Sequence, residues 1–550
     1  MSVVTATIKM GSELMDPAFE LVSIDVTNEM NRIPYAEVVL VDGDFATQKY
    51  AVSDTGFFDP GNEIEISLKY ENLPADNPVI FKGIVMKHSL KKTGSGCMVY
   101  VTMSDSAVKM TTSKKSEIFE NITDDALIRK LITDGGAAAG VIDATTVEHK
   151  RIVQYYSTNW DMMLSRAEVN GLLVYAVNGK ISAKKPKFNT TPDHSFEVGK
   201  QDVFDFDVQA DARDQFSAVN SKTWDIATND MAEAVAADDF TLEQGNLKPG
   251  IMATALGNAE DNLITAVPVD AKEAKAWADS RMIKTRLSMM RGSFTIAGTG
   301  HVVVGNLFEL KGVGKKFSGK NLVTGVKQTV TADGWYTTVQ FGLSANWFSS
   351  AVTLTDTPAA GLLPGVNGLQ IGIVQKFEAD PEKQARVKVK MPGIDGTVKM
   401  LWARMATLDG GDKHGLFFWP EENDEVILGF LNDDPRHPVI LGSVYGSKIP
   451  PAILREDKNP RKGLITKSGI KILFDDEKKT VLIQTSDNNK ILLDEGNKSI
   501  EINDVTGNNI KLSEAGISME SKKNIIITAK EDISISAKNI TIKGSKIDLE

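Results

Sequence analysis

The stretch "NIIITAKEDISISAKNITIKGSKIDLE", residues 524–550, sets isoleucines in pairs two apart: Ile525 with Ile527, Ile533 with Ile535, Ile540 with Ile542, then Ile547 with Leu549. A period of two is that of a β-strand, whose alternate side chains face the same way. The figure runs back to residue 464. Ten such pairs begin at Ile470, Val481, Ile491, Ile500, Ile510, Ile517, Ile525, Ile533, Ile540 and Ile547, and their steps shorten from eleven residues to seven or eight. This is one short strand and one corner, repeated.

Each unit offers two or three inward side chains, too few for a core of its own, so stacking must supply the core. β-Branched isoleucine suits uniform layers. Between the pairs stand 13 Lys and 14 Asp or Glu over residues 464–550, with no Pro, Trp, Tyr, His or Cys and a single Phe, Phe474, so the outward face is solvated. Two alternatives are an antiparallel meander of hairpins and a single-chain β-helix with three strands per coil. Little tight-turn chemistry is evident, and corners every seven or eight residues fit one face each of a three-chain prism. Ten layers at ~4.8 Å would make a rod of roughly 50 Å. The expected needle core is Ile470, Val481, Ile491, Ile500, Ile510, Ile517, Ile525, Ile533, Ile535, Ile540, Ile542 and Ile547. A stiff, dry ladder suggests mechanical work rather than chemistry.

The 550 residues have room for three or four domains, and 42% hydrophobic with 25% charged residues is an ordinary globular composition. No apolar run approaches the ~18–20 residues that cross a bilayer. The start, "MSVVTATIKMGSELMDPAFE", has no basic segment followed by an apolar one, so assembly in the cytoplasm without a signal peptide is expected. Cys97 is the sole cysteine, which excludes an intrachain disulfide. A net charge of −11 argues against nucleic acid as a partner. The six histidines lie singly, without zinc-ligand spacing, and no metal, cofactor or catalytic residue is expected.

Along the chain, residues 1–113 alternate on period two, as in "FELVSIDVTNEMNRIPYAEVVLVDG" and "NEIEISLKY". Residues 123–138 predict a helix capped by Thr123 and stopped by Gly135–Gly136. Ser157 or Thr158 caps a second helix to about Asn170, Gly171 ends it, and a hairpin turns on Asn178–Gly179. A third helix spans 271–292, closed by Gly292. A Pro/Gly-rich linker, 355–368, marks a domain boundary. About five short strands over 369–446 suit a small closed barrel of the oligonucleotide/oligosaccharide-binding (OB) type. A second linker, 447–463, leads into the repeat at 464–550.

Four stretches resemble the VgrG spike family, whose OB domain phage baseplate spikes share. "ARVKVKM" supplies Arg386, Val387, Lys388 and Val389; "GLFFWPEENDEVILGFLNDDPRHPVILGSVY" supplies Pro420, Glu425, Val426, Asp434, Pro435, Pro438 and Gly442. Ala385 and Asn423 stand where the family has Gly, and Glu421 where it has Arg; Asn suits a position of positive φ. "YYSTNWDMMLSRAEVNGLLVY" resembles the hub helix through Trp160, Asp161, Leu164, Arg166, Glu168 and Gly171, and residues 305–341 resemble the second hub barrel.

The resemblance implies a mainly β fold: two hub β-barrels with inserted helices, an OB-fold barrel and a C-terminal triple-stranded (trimeric) β-helix. Its domains would be a first hub barrel (1–115), a helix-containing hub domain (116–200), a second hub barrel (201–354), the OB-fold (369–446), a linker (447–463) and the needle (464–550). It further implies a homotrimer joining a hexameric inner tube to a threefold needle, with baseplate proteins, effector cargo and a PAAR-like tip protein as partners. The target membrane is touched only transiently, by a particle that is secreted or extracellular. The tip protein would dock on Lys546, Ile547, Leu549 and Glu550.

Two other functions are weighed. A spike carrying a cell-wall hydrolase needs a domain of about 150 residues between barrel and needle, where this chain has a linker of about 17. The paired acids Asp433–Asp434 and Asp475–Asp476 read as turn residues pointing to solvent rather than as acid–base pairs. A trimeric receptor-binding or adhesin fibre needs a bulky aromatic head, which is missing. Phe417, Phe418 and Trp419 read as a half-buried strand, which leaves nucleic acid no stacking platform.

Overall fold

In the computed structural model the chain divides into two units, Met1–Thr357 and Pro358–Glu550. Residues 3–548 are described except 45, 74–75, 95, 201–202, 239–242, 352–353, 355–356 and 395–399. Two positions of the expected 355–368 linker therefore lie outside the described residues.

The alternating runs of the first unit pair into a 13-stranded sheet. From one edge it runs through Val203–Ala210, Met290–Ala297, Gly334–Phe341 and Gly319–Thr331. It then crosses to Leu21–Glu29 and continues through Tyr35–Val41, Gly96–Ser104, Val79–Thr93, Glu63–Tyr70 and Val4–Met10 to Glu13–Leu14. The strands expected as two hub barrels thus share one ladder, joined where Ile24 faces Val330 and Glu29 faces Gly325. Two cores lie along it. One gathers Phe58, Ile64, Ile66, Leu68, Val99 and Met103, and also takes Val330 and Trp335 from the distant half of the sequence. The other stacks Phe196, Phe294, Phe308 and Phe341 with ring centroids 4.9–5.6 Å apart along the row.

Helix α1, Asp124–Asp134, starts after Thr123 and stops before Gly136, whose φ of +74° is left-handed; the Thr123 hydroxyl makes no capping bond to the helix. Helix α2, Asn159–Val169, has the stronger cap. The Thr158 hydroxyl accepts from Asp161 N–H at 3.0 Å and donates to the Asp161 carboxylate at 2.7 Å. The strands Leu173–Val177 and Lys180–Lys184 turn on Asn178 and Gly179, both at positive φ as a two-residue hairpin requires. Helix α3, Ala271–Ser288, ends earlier than its sequence suggests. Gly292 is not its stop but lies inside Met290–Ala297, where a Cβ would sit 2.3 Å from the Asp207 carbonyl oxygen. That glycine admits a close backbone neighbour.

In the second unit β1 (Gln370–Val374), β2 (Val387–Lys390), β3 (Met400–Met405), β4 (Glu425–Phe430) and β5 (Pro438–Ser443) close a five-stranded barrel in the order β1-β2-β3-β5-β4. Val374, Val389, Ala403, Val426, Leu428 and Ile440 fill it with no exposure at all. Ala385 and Asn423 both take left-handed backbone, φ +55° and +72°, so the positions themselves favour glycine and the two substitutions carry a modest conformational cost.

Beyond the barrel, β6 (Arg461–Ile465), β7 (Lys471–Asp475), β8 (Thr480–Gln484), β9 (Lys490–Asp494), β10 (Ser499–Asn503), β11 (Asn509–Ser513) and β12 (Gly516–Glu520) form a seven-stranded sheet, each strand antiparallel to the next. This corrects the reading of one uniform prism over 464–550, because residues 461–520 make hairpins. The turns that permit them use left-handed residues at Lys479, Asn488, Lys498, Gly507 and Gly516.

Candidate assembly surface

The hairpin register sorts the repeat by face. Ile472 lies opposite Ile483, Ile483 opposite Ile491, Ile491 opposite Ile502, Ile502 opposite Ile510, and Ile510 opposite Met519. Two residues along each strand, a second column runs through Phe474, Val481, Leu493, Ile500, Leu512 and Ile517. Both columns share one face, so six strands present a continuous apolar wall. Among the described residues it stays largely open: Phe474, Ile483, Ile500 and Ile502 are 47%, 43%, 41% and 43% exposed. The opposite face starts apolar at Leu473, Leu482 and Leu492 and turns polar at Glu501 and Lys511, which pair at 2.7 Å.

Val481, Ile491, Ile500, Ile510 and Ile517 of the expected needle core stand on this wall, and Ile470 immediately precedes β7 with 45% exposure. Ile525, Ile533, Ile535, Ile540, Ile542 and Ile547 lie where no strand is formed, and all are at least half exposed. Among the described residues no backbone–backbone hydrogen bond is made by residues 524–548. Of the expected tip-docking residues, Lys546 pairs with Asp548 at 2.7 Å and Ile547 is exposed; Leu549 and Glu550 lie outside the described residues.

The turns hold their own charges. Asp504 accepts from the Thr506 hydroxyl and from Asn508, and these bonds hold its carboxyl at about 2. In the barrel Asp434 is nearly buried rather than pointing to solvent. The Arg436 guanidinium and backbone N–H bond it and hold it at about 2. Asp475 accepts from Lys478 N–H and Asp476 pairs with Lys462. Both acid pairs therefore have turn-making partners. Glu421, the departure from the family's Arg, meets Lys467 of the β6–β7 turn at 3.0 Å.

The hub-helix residues meet at a buried charge cluster. Asp124, with no exposed surface, takes two bonds from Arg166, Nε at 2.7 Å and Nη2 at 3.0 Å, one from Asn170 at 2.8 Å, and faces His149 Nε2 at 3.1 Å. Arg166 reaches Glu273 of α3 at 2.7 Å. Burial alone would push the Asp124 carboxyl up; the Arg166 bonds and charge, with Asn170 and His149, outweigh it, and the net shift is downward. Glu168 accepts the Phe348 N–H on both oxygens, at 3.0 and 2.9 Å. Trp160 and Leu164 enter the hydrophobic core, and Gly171 takes φ +67°. Sequence reading found Arg166 but not Asp124, His149 or Glu273. Their signal is two like-charged acids and a histidine far apart in sequence, and only the fold brings them to one cation.

No helix among the described residues is long and apolar enough to cross a membrane. Residues 1–332 match the family model for the Alg8 N-terminal domain, and residues 370–445 match the type VI secretion system/phage-baseplate injector OB domain. A Vibrio cholerae relative named actin cross-linking toxin VgrG1 is 31% identical over 103 residues, 17% of this chain, and the match spans only 9% of that relative's length. Among solved structures, a Neisseria meningitidis tail protein aligns with TM-score 0.46 and 13% identity over 62% of this chain and 98% of its own. An Escherichia coli component of the type VI secretion system aligns with TM-score 0.40 and 11% identity over 80% of this chain and 99% of its own. A chain of a Francisella PdpA–VgrG complex aligns with TM-score 0.39 and 10% identity over 94% of this chain and 87% of its own. The chain belongs to the Alg8 N-terminal domain family through its first 332 residues, and behind them residues 370–445 match the injector OB domain of type VI secretion systems and phage baseplates.

Proposed function

We propose that three copies of this chain form the envelope-puncturing spike of a contractile injection system, with the first unit seated on the inner tube and baseplate, the hairpin sheets of residues 461–520 packed wall to wall and the tail after residue 520 braided into a needle. The observation that carries this is the uncovered wall together with the unpaired tail. Eleven of the wall's twelve apolar side chains are 36–71% exposed in the single chain, and covering the wall gains on the order of 10 kcal/mol per copy. Among the described residues, 524–548 make no backbone–backbone hydrogen bond, and ordering each residue costs ~1–2 kcal/mol, so partner strands must supply the ladder. Two sheets face to face would also cover the wall. Three is favoured by the tail, whose seven- to eight-residue steps fit one strand plus one corner of a three-sided prism. The spike then transmits the force of contraction and makes no covalent bond. It is assembled in the cytoplasm and delivered, with any effector cargo, by the secreted or extracellular particle.

Light scattering should return about 180 kDa, three times the 59.8 kDa chain. A 60 or 120 kDa species with a protected needle rules the arrangement out.

We assign tip docking to Lys546, Ile547, Leu549 and Glu550. Ile547 is half exposed beside the Lys546–Asp548 ion pair, an apolar spot rimmed by charge that a small PAAR-like cap with threefold pseudo-symmetry can cover. Deleting 545–550 should leave a trimer that no longer co-purifies with a tagged cap; undiminished capture would place the cap on the sides of the needle.

A further inference from the structure

We infer that the loop before β4 is a clasp by which each copy grips its neighbour at the root of the needle; the inference rests on the trimer proposed above. Residues 416–419, Leu-Phe-Phe-Trp, are not the half-buried strand their composition suggests. They form an exposed run, with Phe417 81%, Phe418 59% and Trp419 46% exposed, while Leu408 at the start of the same loop is 95% exposed.

The loop is not loose. Gly410–Gly411 pairs with His414–Gly415 as a small hairpin, Leu416 N–H donates to the Asp409 carbonyl at 2.9 Å, and the Thr407 hydroxyl donates to the Leu416 carbonyl at 2.7 Å. At 415 the backbone has φ +129°, and a Cβ on that glycine would meet the Asp409 carbonyl oxygen at 2.5 Å. A pinned loop that holds four apolar side chains to solvent has a surface to cover.

Its place names the occupant. Two residues past Trp419, Glu421 pairs with Lys467 in the β6–β7 turn. The C-terminal end of the aromatic run is thus tied to the turn between β6 and β7, and Leu464, Ile470 and Ile472 on either side of that turn are themselves exposed. In the proposed trimer a second copy covers the wall at β6 and β7, and a loop tied to that turn is placed to meet the same copy. Aromatic side chains that lose their solvent completely in such an interface contribute strongly to subunit retention.

The test uses the full chain, with a benzophenone photocrosslinker at the 417 position and scattering recorded on the same sample. Illumination should give covalent dimers and trimers whose crosslinks map to residues 369–475 of another copy. The double variant Phe417→Ser, Trp419→Ser should keep the barrel folded, since both side chains are substantially exposed in the single chain. It should speed exchange of subunits between differently labelled trimers about tenfold or more. A trimer that gives only intrachain crosslinks, or exchange at the unaltered rate, overturns the clasp and leaves the needle standing. A chain that scatters as a monomer overturns both.

Discussion

Ile502→Lys should leave a folded chain that no longer assembles. Ile502 lies in β10 with Ile491 and Ile510 directly opposite on the two neighbouring strands, in the middle of the apolar wall. In the single chain it is 43% exposed, so a lysine there can reach water and the fold of one copy should hardly change. In the trimer three ammonium groups would converge on one axial layer without partners, at several kcal/mol each, which takes a large share of what covering the wall gains while the entropy cost of association has still to be met. The control is one residue away. Glu501 faces the other side of the sheet and pairs with Lys511. Glu501→Lys exchanges that exposed pair for a cross-strand repulsion of under ~1 kcal/mol and should keep the trimer. Scattering at about 60 kDa for the first variant and about 180 kDa for the second is the expected result. If both variants behave alike, the wall is not the assembly surface.

The facing of the repeat was legible because period two is a local property: each apolar pair from Val481 and Ile483 to Ile517 and Met519 falls on the same face. The split between hairpins and tail was not written in the steps. Four or five residues separate the strands from Asp475 to Thr480 and from Asn503 to Asn509, but the seven-residue step from Ile510 to Ile517 closes a hairpin as well. The hairpins were missed because Lys479 and Lys498 carry left-handed backbone without looking like turn residues. The joining of the two hub halves into one sheet depends on Leu21–Glu29 meeting Gly319–Thr331, some 300 residues apart, and no local pattern announces it. The aromatic run at 417–419 misled in the other direction, since bulky apolar residues read as buried and here they wait for another surface.

The second large effect is expected in the hub. Arg166→Met removes the cation that makes two bonds to Asp124, and Asp124 has no solvent to turn to. Breaking one side of a buried pair costs about 3–5 kcal/mol, because the other charge is left uncompensated. Glu273 also loses its bond to Arg166 Nη2, so the joint between α2 and α3 should loosen with it. Trp160, nearly buried one turn and a half before Arg166, reports the loss by fluorescence during denaturant unfolding of the full chain.

The pH dependence fixes the sign. In the natural chain the Asp124 carboxyl is held below its unfolded value, so its contribution is complete above that value, near ~4, and fades as pH falls through the lower folded value. With Arg166 gone, burial is the dominant influence and pushes the carboxyl above its unfolded value. The variant's stability from this group is then greatest in acid and is lost as pH rises. The deficit of Arg166→Met relative to the natural chain should therefore be largest at pH 7 and shrink toward pH 4. Removing the acid as well, Asp124→Leu with Arg166→Met, should recover most of the loss at neutral pH, since an apolar pair of similar volume carries no stranded charge. A loss below ~1 kcal/mol, or a deficit indifferent to pH and to the second substitution, would mean that the α1–α2–α3 joint is held by its apolar packing and the charge cluster is incidental.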